Sequence, residues 1–353
     1  MPTFRCSSAF TVILERIEHR DHAGEVARKI LDTLREPIAL GVHGQSVAVT
    51  ASIGIAVYPQ DASETEELIR HADAAMFAAK EQGRNRIQSF TCDLDERMSN
   101  RVLLESELRK VTDGGQLRLH YQPQFAGGNP RIVAVEALLR WQHPLRGLLQ
   151  PSEFLHVAED SGLILQLGLW VLREACRQGR RWHEQGHPLR IAVNVSPRQL
   201  GLPAFVEELA AVLRESGLPP GALELEITED TLMVGAHAVT RRLHELRTLG
   251  VQVAIDDFGT GHSSLGRLRR LPVSRLKIDG CFVQGIPHSQ DDRAVASAII
   301  SMAHDLSLEV VAVGVESDEQ RAFLEACGSD LLQGYWLGRP VPAETIDALL
   351  ATP

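Results

Sequence analysis

From Leu117 to the C-terminus, short apolar runs rich in Val, Ile and Leu repeatedly give way to a polar turn and then a stretch with helical spacing. Eight such runs are the expected strands: Leu117–Phe125, Ile132–Trp141, Arg190–Ser196, Leu223–Thr228, Val251–Asp256, Arg275–Ile278, Glu309–Val313 and Leu331–Trp336. Strands alternating with helices select parallel pairing, because a parallel neighbour is reached only through a long crossover. Two α/β architectures satisfy that condition. Eight repeats at this length fit a closed (β/α)8 barrel, and a doubly wound open sheet is the alternative.

A barrel places working side chains at the C-terminal ends of its strands. Glu136 follows Ile132-Val133-Ala134-Val135, Asn194 follows Ile191-Ala192-Val193, and Glu226 follows Leu223-Glu224-Leu225. Asp256 and Asp257 end the run of Val251, Val253 and Ile255; Lys277 sits in Leu276-Lys277-Ile278-Asp279, and Gln333 follows Leu331-Leu332. One polar residue beside an apolar strand is ordinary capping, but six strands bringing carboxylate, amide or ammonium groups to one rim describe a polar site. Adjacent carboxylates where a buried strand stops require a cation or hydrogen-bond donors. Oxygen donors without His or Cys select Mg²⁺ or Mn²⁺, and a bridging Asp256 suits two metals clamping a phosphate.

The rest of the chain narrows the choices. A formal net charge of −10 argues against general affinity for DNA or RNA, so an anionic ligand needs local Arg, Lys or bound metal. The five cysteines are scattered without a Cys-x-x-Cys pair, which suits a reducing cytosol. The most apolar segment, Leu163 to Leu172, is too short and too interrupted to span a bilayer, and the chain is expected to be soluble and cytoplasmic. His183-Glu184-Gln185-Gly186-His187 matches a zinc-protease spacing, but Gly186 and Pro188 end the helix before the second His. Gly259 to Gly266 has the wrong spacing for a dinucleotide loop.

The first ninety residues read as a small α+β unit. Phe10 to Leu14 and Val47 to Val57 are expected strands, Glu25 to Leu34 and Glu64 to Lys80 expected helices, with a hairpin-like turn at Val42 to Gln45. Through Ser52-Ile53-Gly54, Tyr58-Pro59, Ala72-Asp73, Ala79-Lys80 and Gly83-Arg84-Asn85-Arg86, the segment Ala51 to Ile87 resembles the C-terminal half of the GGDEF, or diguanylate cyclase, domain. Cys6-Ser7-Ser8-Ala9-Phe10 stands where that family has Gly-Gly-Asp-Glu-Phe, and the domain's N-terminal half is absent. The resemblance therefore implies a truncated, degenerate remnant without cyclase activity. Thr91 to Thr112 has amphipathic helical spacing and is expected to bridge the two regions.

Glu136-Ala137-Leu138, followed by Leu139-Arg140-Trp141, resembles the name-giving motif of the EAL family of cyclic di-GMP phosphodiesterases. Tyr121-Gln122-Pro123, Pro151-Ser152-Glu153-Phe154, Asn194-Val195-Ser196, Glu226-Ile227-Thr228-Glu229, Asp256-Asp257-Phe258-Gly259-Thr260-Gly261 and Gln333-Gly334-Tyr335 extend the match. The resemblance implies hydrolysis of cyclic di-GMP to linear pGpG. It implies Glu136, Asn194, Glu226 and Asp256 as ligands of one metal, and Asp256 with Asp257 on a second. Lys277 would orient water or a phosphate oxygen; Gln122, Arg140 and Gln333 would line the ligand site, and Glu229 would pin the loop from Phe258 to Leu265. His262 stands where the family usually has Tyr, in the loop that links site and dimer interface, and a homodimer through this region is implied. One position departs from the family in a way that bears on catalysis. Val313 in Val311-Ala312-Val313-Gly314-Val315-Glu316 replaces a Glu that ligates the second metal and helps deprotonate water. Two readings remain open: an EAL phosphodiesterase with impaired turnover, or a non-catalytic cyclic di-GMP receptor. The expected domains are 1–90, the remnant; 91–112, a linker helix; and 113–353, the EAL barrel.

Overall fold

A computed structural model of the chain describes residues 10–351 except 18, 37, 41–44, 48, 84, 112, 113, 130, 234, 235 and 262–264. Cys6 to Ala9, most of the turn at Val42 to Gln45, Arg84 and His262 lie outside the described residues. The chain divides into two compact units, Met1–Leu104 and Glu105–Pro353. Among the described residues no helix is long and apolar enough to cross a membrane.

In the first unit, helix Arg20–Arg35 precedes an antiparallel pair, β1 (Ile38–Leu40) and β2 (Gln45–Val47). Strand β3 (Ile53–Ile55) then pairs in parallel with β4 (Ile87–Ser89) across helix Thr65–Glu81. Gly54 makes this packing possible: a Cβ there would lie 2.0 Å from the Ala72 carbonyl oxygen and 2.1 Å from the Met76 nitrogen. The expected strand at Phe10 to Leu14 does not form. The segment is irregular, with Phe10 and Ile13 more than four-fifths exposed, and it pairs with none of the described strands. The single strand expected over Val47 to Val57 is likewise split between β2 and β3.

The second unit is a closed eight-stranded barrel. In chain order its strands are β5 (Leu117–Ala126) and β6 (Ile132–His143), then, after the small outlying β7 (Gly147–Leu149), β8 (Arg190–Asn194), β9 (Leu223–Thr228) and β10 (Gln252–Phe258). β11 (Arg275–Ile278), β12 (Glu309–Val313) and β13 (Leu331–Gln333) complete it. β6 and β8 to β13 run parallel, and β5 closes the ring antiparallel to both β6 and β13. The barrel expectation holds, with one correction: the first two strands form a hairpin. The chain between Ala126 and Ile132 is too short for a crossover, so only antiparallel pairing is reachable. The last strand also stops at Gln333 rather than Trp336.

Helices Ile164–Glu184, Phe205–Ser216, Ala236–Leu249, Gln290–Asp305 and Asp318–Ala326 supply the crossovers. Helix Ile164–Glu184 ends before Gly186, which takes φ +88°, so His187 lies beyond it while His183 bonds the Leu189 carbonyl. The two imidazoles do not share a helical face.

Side chains alternate in and out of the barrel, and the inward series on β9 (Glu224, Glu226) and β11 (Arg275, Lys277) is charged. At the N-terminal floor, buried Arg275 bonds Glu224 at 2.5 Å and also pairs with Glu309, while Arg190 lies 3.7 Å from Glu224 and 3.5 Å from Glu309. Removing one partner of a buried ion pair leaves an uncompensated charge. Arg275→Met is therefore expected to lower the unfolding free energy by about 3–5 kcal/mol in urea titrations. Glu309→Gln, at a half-exposed position, should cost under about 1 kcal/mol.

Candidate active site

At the opposite end, the upper residues of β6, β9 and β10 aim three carboxylates at the tip of β11. Lys277, fully buried, donates from Nζ to Glu226 at 2.7 Å, to Asp256 at 3.0 Å and to Glu136 at 3.2 Å. Oxygens of the three acids lie within 4.8 Å of one another. Asn194, ending β8, donates from Nδ2 to Glu136 Oε1 at 2.7 Å, which leaves Oδ1 as its acceptor. Gln333, ending β13, donates to Glu136 Oε2 at 2.7 Å and to Gln122 Oε1 at 3.0 Å. Gln122 in turn donates to the Gly338 carbonyl at 3.0 Å.

The charges do not balance. Three carboxylates face one ammonium, and Glu226 Oε1 is buried without a hydrogen-bond partner among the described residues. Burial raises the pKa of Glu226, and the neighbouring charge of Glu136 adds to it, holding that acid well above the ordinary carboxylate range. Glu136 faces the same burial, but the Lys277 charge and the bonds from Gln333 and Asn194 outweigh it and hold its pKa low. For Lys277 burial favours the neutral amine, yet Asp256, Glu136 and Glu226 together keep it firmly protonated. An all-oxygen donor set with an unmet demand for positive charge fits a hard divalent cation.

Asp257 departs from this group. Its backbone takes φ +54°, its amide donates to Asp256 Oδ1 at 3.0 Å, and its side chain hydrogen-bonds Asp279. Burial, followed by the charges of Asp256 and Asp279, pushes Asp257 up to about 6. Asp279 is held low because hydrogen bonds from Cys281 and Asp257 outweigh its burial. Of the two carboxylates, Asp257 is thus the more readily protonated. Asp279 was assigned no role from sequence, although its place at the end of the β11 run was a usable signal.

Glu229, buried, accepts from the Gly259 amide at 3.0 Å and the Gly261 amide at 3.2 Å. A Cβ at Gly261 would sit 2.8 Å from that carboxyl group, so a larger residue there would have to displace it. Arg140 is buried, its Nη1 bonded to the Leu139 carbonyl and its Nε without a partner among the described residues. Val313 ends β12 in register with Gln333 and packs on Ala134, Val311 and Leu331. Glu316 is exposed, its amide held by Gln320 at 2.7 Å, and it stands apart from the three clustered acids.

Residues 105–340 match the family model of the EAL domain, and residues 6–86 match that of the diguanylate cyclase, GGDEF domain. The chain is 44% identical over 343 residues to the bifunctional diguanylate cyclase/cyclic di-GMP phosphodiesterase MucR of Pseudomonas aeruginosa, covering 97% of this chain and 50% of MucR. It is 44% identical over 333 residues to the cyclic di-GMP phosphodiesterase NbdA of the same organism, covering 94% and 42%. The chain spans about half the length of these curated relatives. The c-di-GMP complex of the PaMucR phosphodiesterase matches with a TM-score of 0.67 and 47% identity, over 69% of this chain and 99% of that one.

Replacing Lys277 by Met leaves three clustered carboxylates without the one cation bonded to them among the described residues. Lys277→Met is expected to lose about 3–5 kcal/mol of stability in chelator. Millimolar Mg²⁺ should restore much of that loss in urea unfolding, because a divalent ion supplies the missing charge. No recovery with Mg²⁺ or Mn²⁺ would show that the acids do not form a cation site.

Proposed function

This chain belongs to the EAL domain family, and we propose that it acts on cyclic di-GMP, opening one phosphodiester to give linear pGpG. The observation that carries the reading is the oxygen cage of Glu136, Glu226 and Asp256 at the barrel mouth, short of positive charge and suited to a phosphodiester accompanied by divalent ions. Its similarity to phosphodiesterases, one of them solved with c-di-GMP, supports the substrate.

In this reading Glu136, Asn194, Glu226 and Asp256 hold one Mg²⁺ or Mn²⁺, and Asp256 with Asp257 faces a second. Bound cations of this kind supply Lewis acidity and a more acidic water. Lys277 keeps the carboxylates fixed and orients water or a phosphate oxygen. Arg140, whose buried Nε has no partner among the described residues, meets a ligand phosphate or base, and Gln122 borders the same side. Gln333 holds Glu136, and Glu229 shapes the loop after β10. Water's oxygen joins phosphorus, the ester bond to the 3′ oxygen breaks, and that oxygen leaves as a hydroxyl. The barrel unit forms a homodimer in a cytoplasmic setting, and the segment before it has no cyclase activity.

Val313 limits the rate. A valine neither coordinates a metal nor accepts a proton, and general-base assistance is worth about 10²–10⁴ in rate, or about 3–5 kcal/mol of barrier. Slow hydrolysis is expected. The same valine, beside a retained set of binding residues, favours a second reading as a receptor that binds cyclic di-GMP without turning it over.

Incubating the purified chain with cyclic di-GMP and Mg²⁺ or Mn²⁺, and following pGpG, tests both readings. Val313→Glu is expected to raise kcat by about 10²–10⁴. Fast turnover by the unmodified chain would overturn the role given to Val313. Calorimetric binding without turnover in either protein would favour the receptor, and no binding by either would remove cyclic di-GMP as the ligand.

A further inference from the structure

Gln124 is a polar residue where stability alone favours an apolar one. It lies fully buried on the interior face of β5, in register with Ala134, and its Oε1 has no hydrogen-bond partner among the described residues. A buried acceptor left unsatisfied is a net cost. What Gln124 does make is one directed contact: its Nε2 donates to Gln333 Oε1 at 2.9 Å.

That contact bears on the cage through Gln333. A carboxamide has two donors on one side and an acceptor on the other, and a half-turn exchanges them. Gln333 uses both donors, one on Glu136 Oε2 and one on Gln122 Oε1. The reversed amide would set oxygen against the Glu136 carboxylate. Gln122 is itself oriented by its donation to the Gly338 carbonyl, which leaves its oxygen facing Gln333. Gln124 completes the arrangement by offering a donor to the one acceptor Gln333 has.

We propose that Gln124 is a positioning residue for the cation site, locking the Gln333 amide so that it holds the Glu136 carboxylate toward Asn194 and the cation. The inference rests on the reading of Glu136 as a cation ligand. Gln124 touches neither substrate nor metal, and acts two hydrogen bonds away from the carboxylate.

The test is direct Mn²⁺ binding by the full chain, read from the paramagnetic resonance signal of free Mn²⁺. Gln124→Met keeps the length and removes the donor. It is expected to weaken Mn²⁺ binding about 10-fold, the lower end of what outer ligand-shell substitutions cost, with the urea midpoint in chelator unchanged or raised. Gln333→Met should weaken binding as well, and adding Gln124→Met to it should bring no further loss, because the first residue acts only through the second. Unchanged Mn²⁺ affinity in Gln124→Met, or additive losses in the double variant, would overturn the proposal while leaving the cation site standing. An unmodified chain that binds no Mn²⁺ would overturn the cation site and this proposal together.

Discussion

The barrel mouth depends on one interaction, the Lys277 ammonium set among Glu136, Glu226 and Asp256. Each acid comes from a different strand, and β11 delivers the lysine from the far side of β10. Buried carboxylates repel one another and lose hydration, so strands carrying them would not close over an apolar interior without a cation between them. The floor solves the same problem with Arg275 and Arg190 against Glu224 and Glu309. Fully buried Ala192 is in register with Glu136 and Glu224, and fully buried Ala254 with Glu226 and Arg275, so small residues neighbour the charged ones on adjacent strands.

The antiparallel β5 has a second consequence for the site. Because it forms a hairpin with β6, its register places Gln122 opposite Glu136 and Gln124 opposite Ala134. A strand arriving through a helical crossover would enter from the floor. Here the hairpin brings two glutamines beside Gln333 on β13, and the three amides brace one carboxylate. The segment after β13 then locks the hairpin, with Tyr121 and Val341 exchanging backbone bonds at 2.7 and 3.0 Å.

The barrel was legible because its signal is local. Runs such as Ile191-Ala192-Val193 and Val253-Ala254-Ile255 mark buried strands whatever they pair with, and the polar residue that ends each one marks the rim. Glu136, Asn194, Glu226 and Asp256 were found in that way, and the structure brings them together around Lys277. Pairing partners are not local, and that is where the reading failed. Phe10 to Leu14 has strand composition but pairs with none of the described strands, and the direction of β5 follows from a short connection rather than from its own residues. Asp279 and Gln124 were passed over for a related reason. Their roles lie in contacts to Asp257 and Gln333, which no spacing along the chain reveals.

On the proposed reading, the same charge accounting explains how the site tolerates Val313. A glutamate there would add a fourth carboxylate at the rim, beside a group that already leaves Glu226 raised and one of its oxygens unpartnered. Such a set is stable only with two divalent ions to neutralise it. Valine removes that demand and packs instead on Ala134, Val311 and Leu331. In the neighbouring pair it is Asp257 that is pushed up, to about 6, by burial and the charges of Asp256 and Asp279. Among the three caged acids Glu226 is raised in the same way, and Lys277 is the cation bonded to all three. On that reading the cation demand concentrates at Glu136, Glu226 and Asp256, and valine at 313 would weaken a second metal position more than the first.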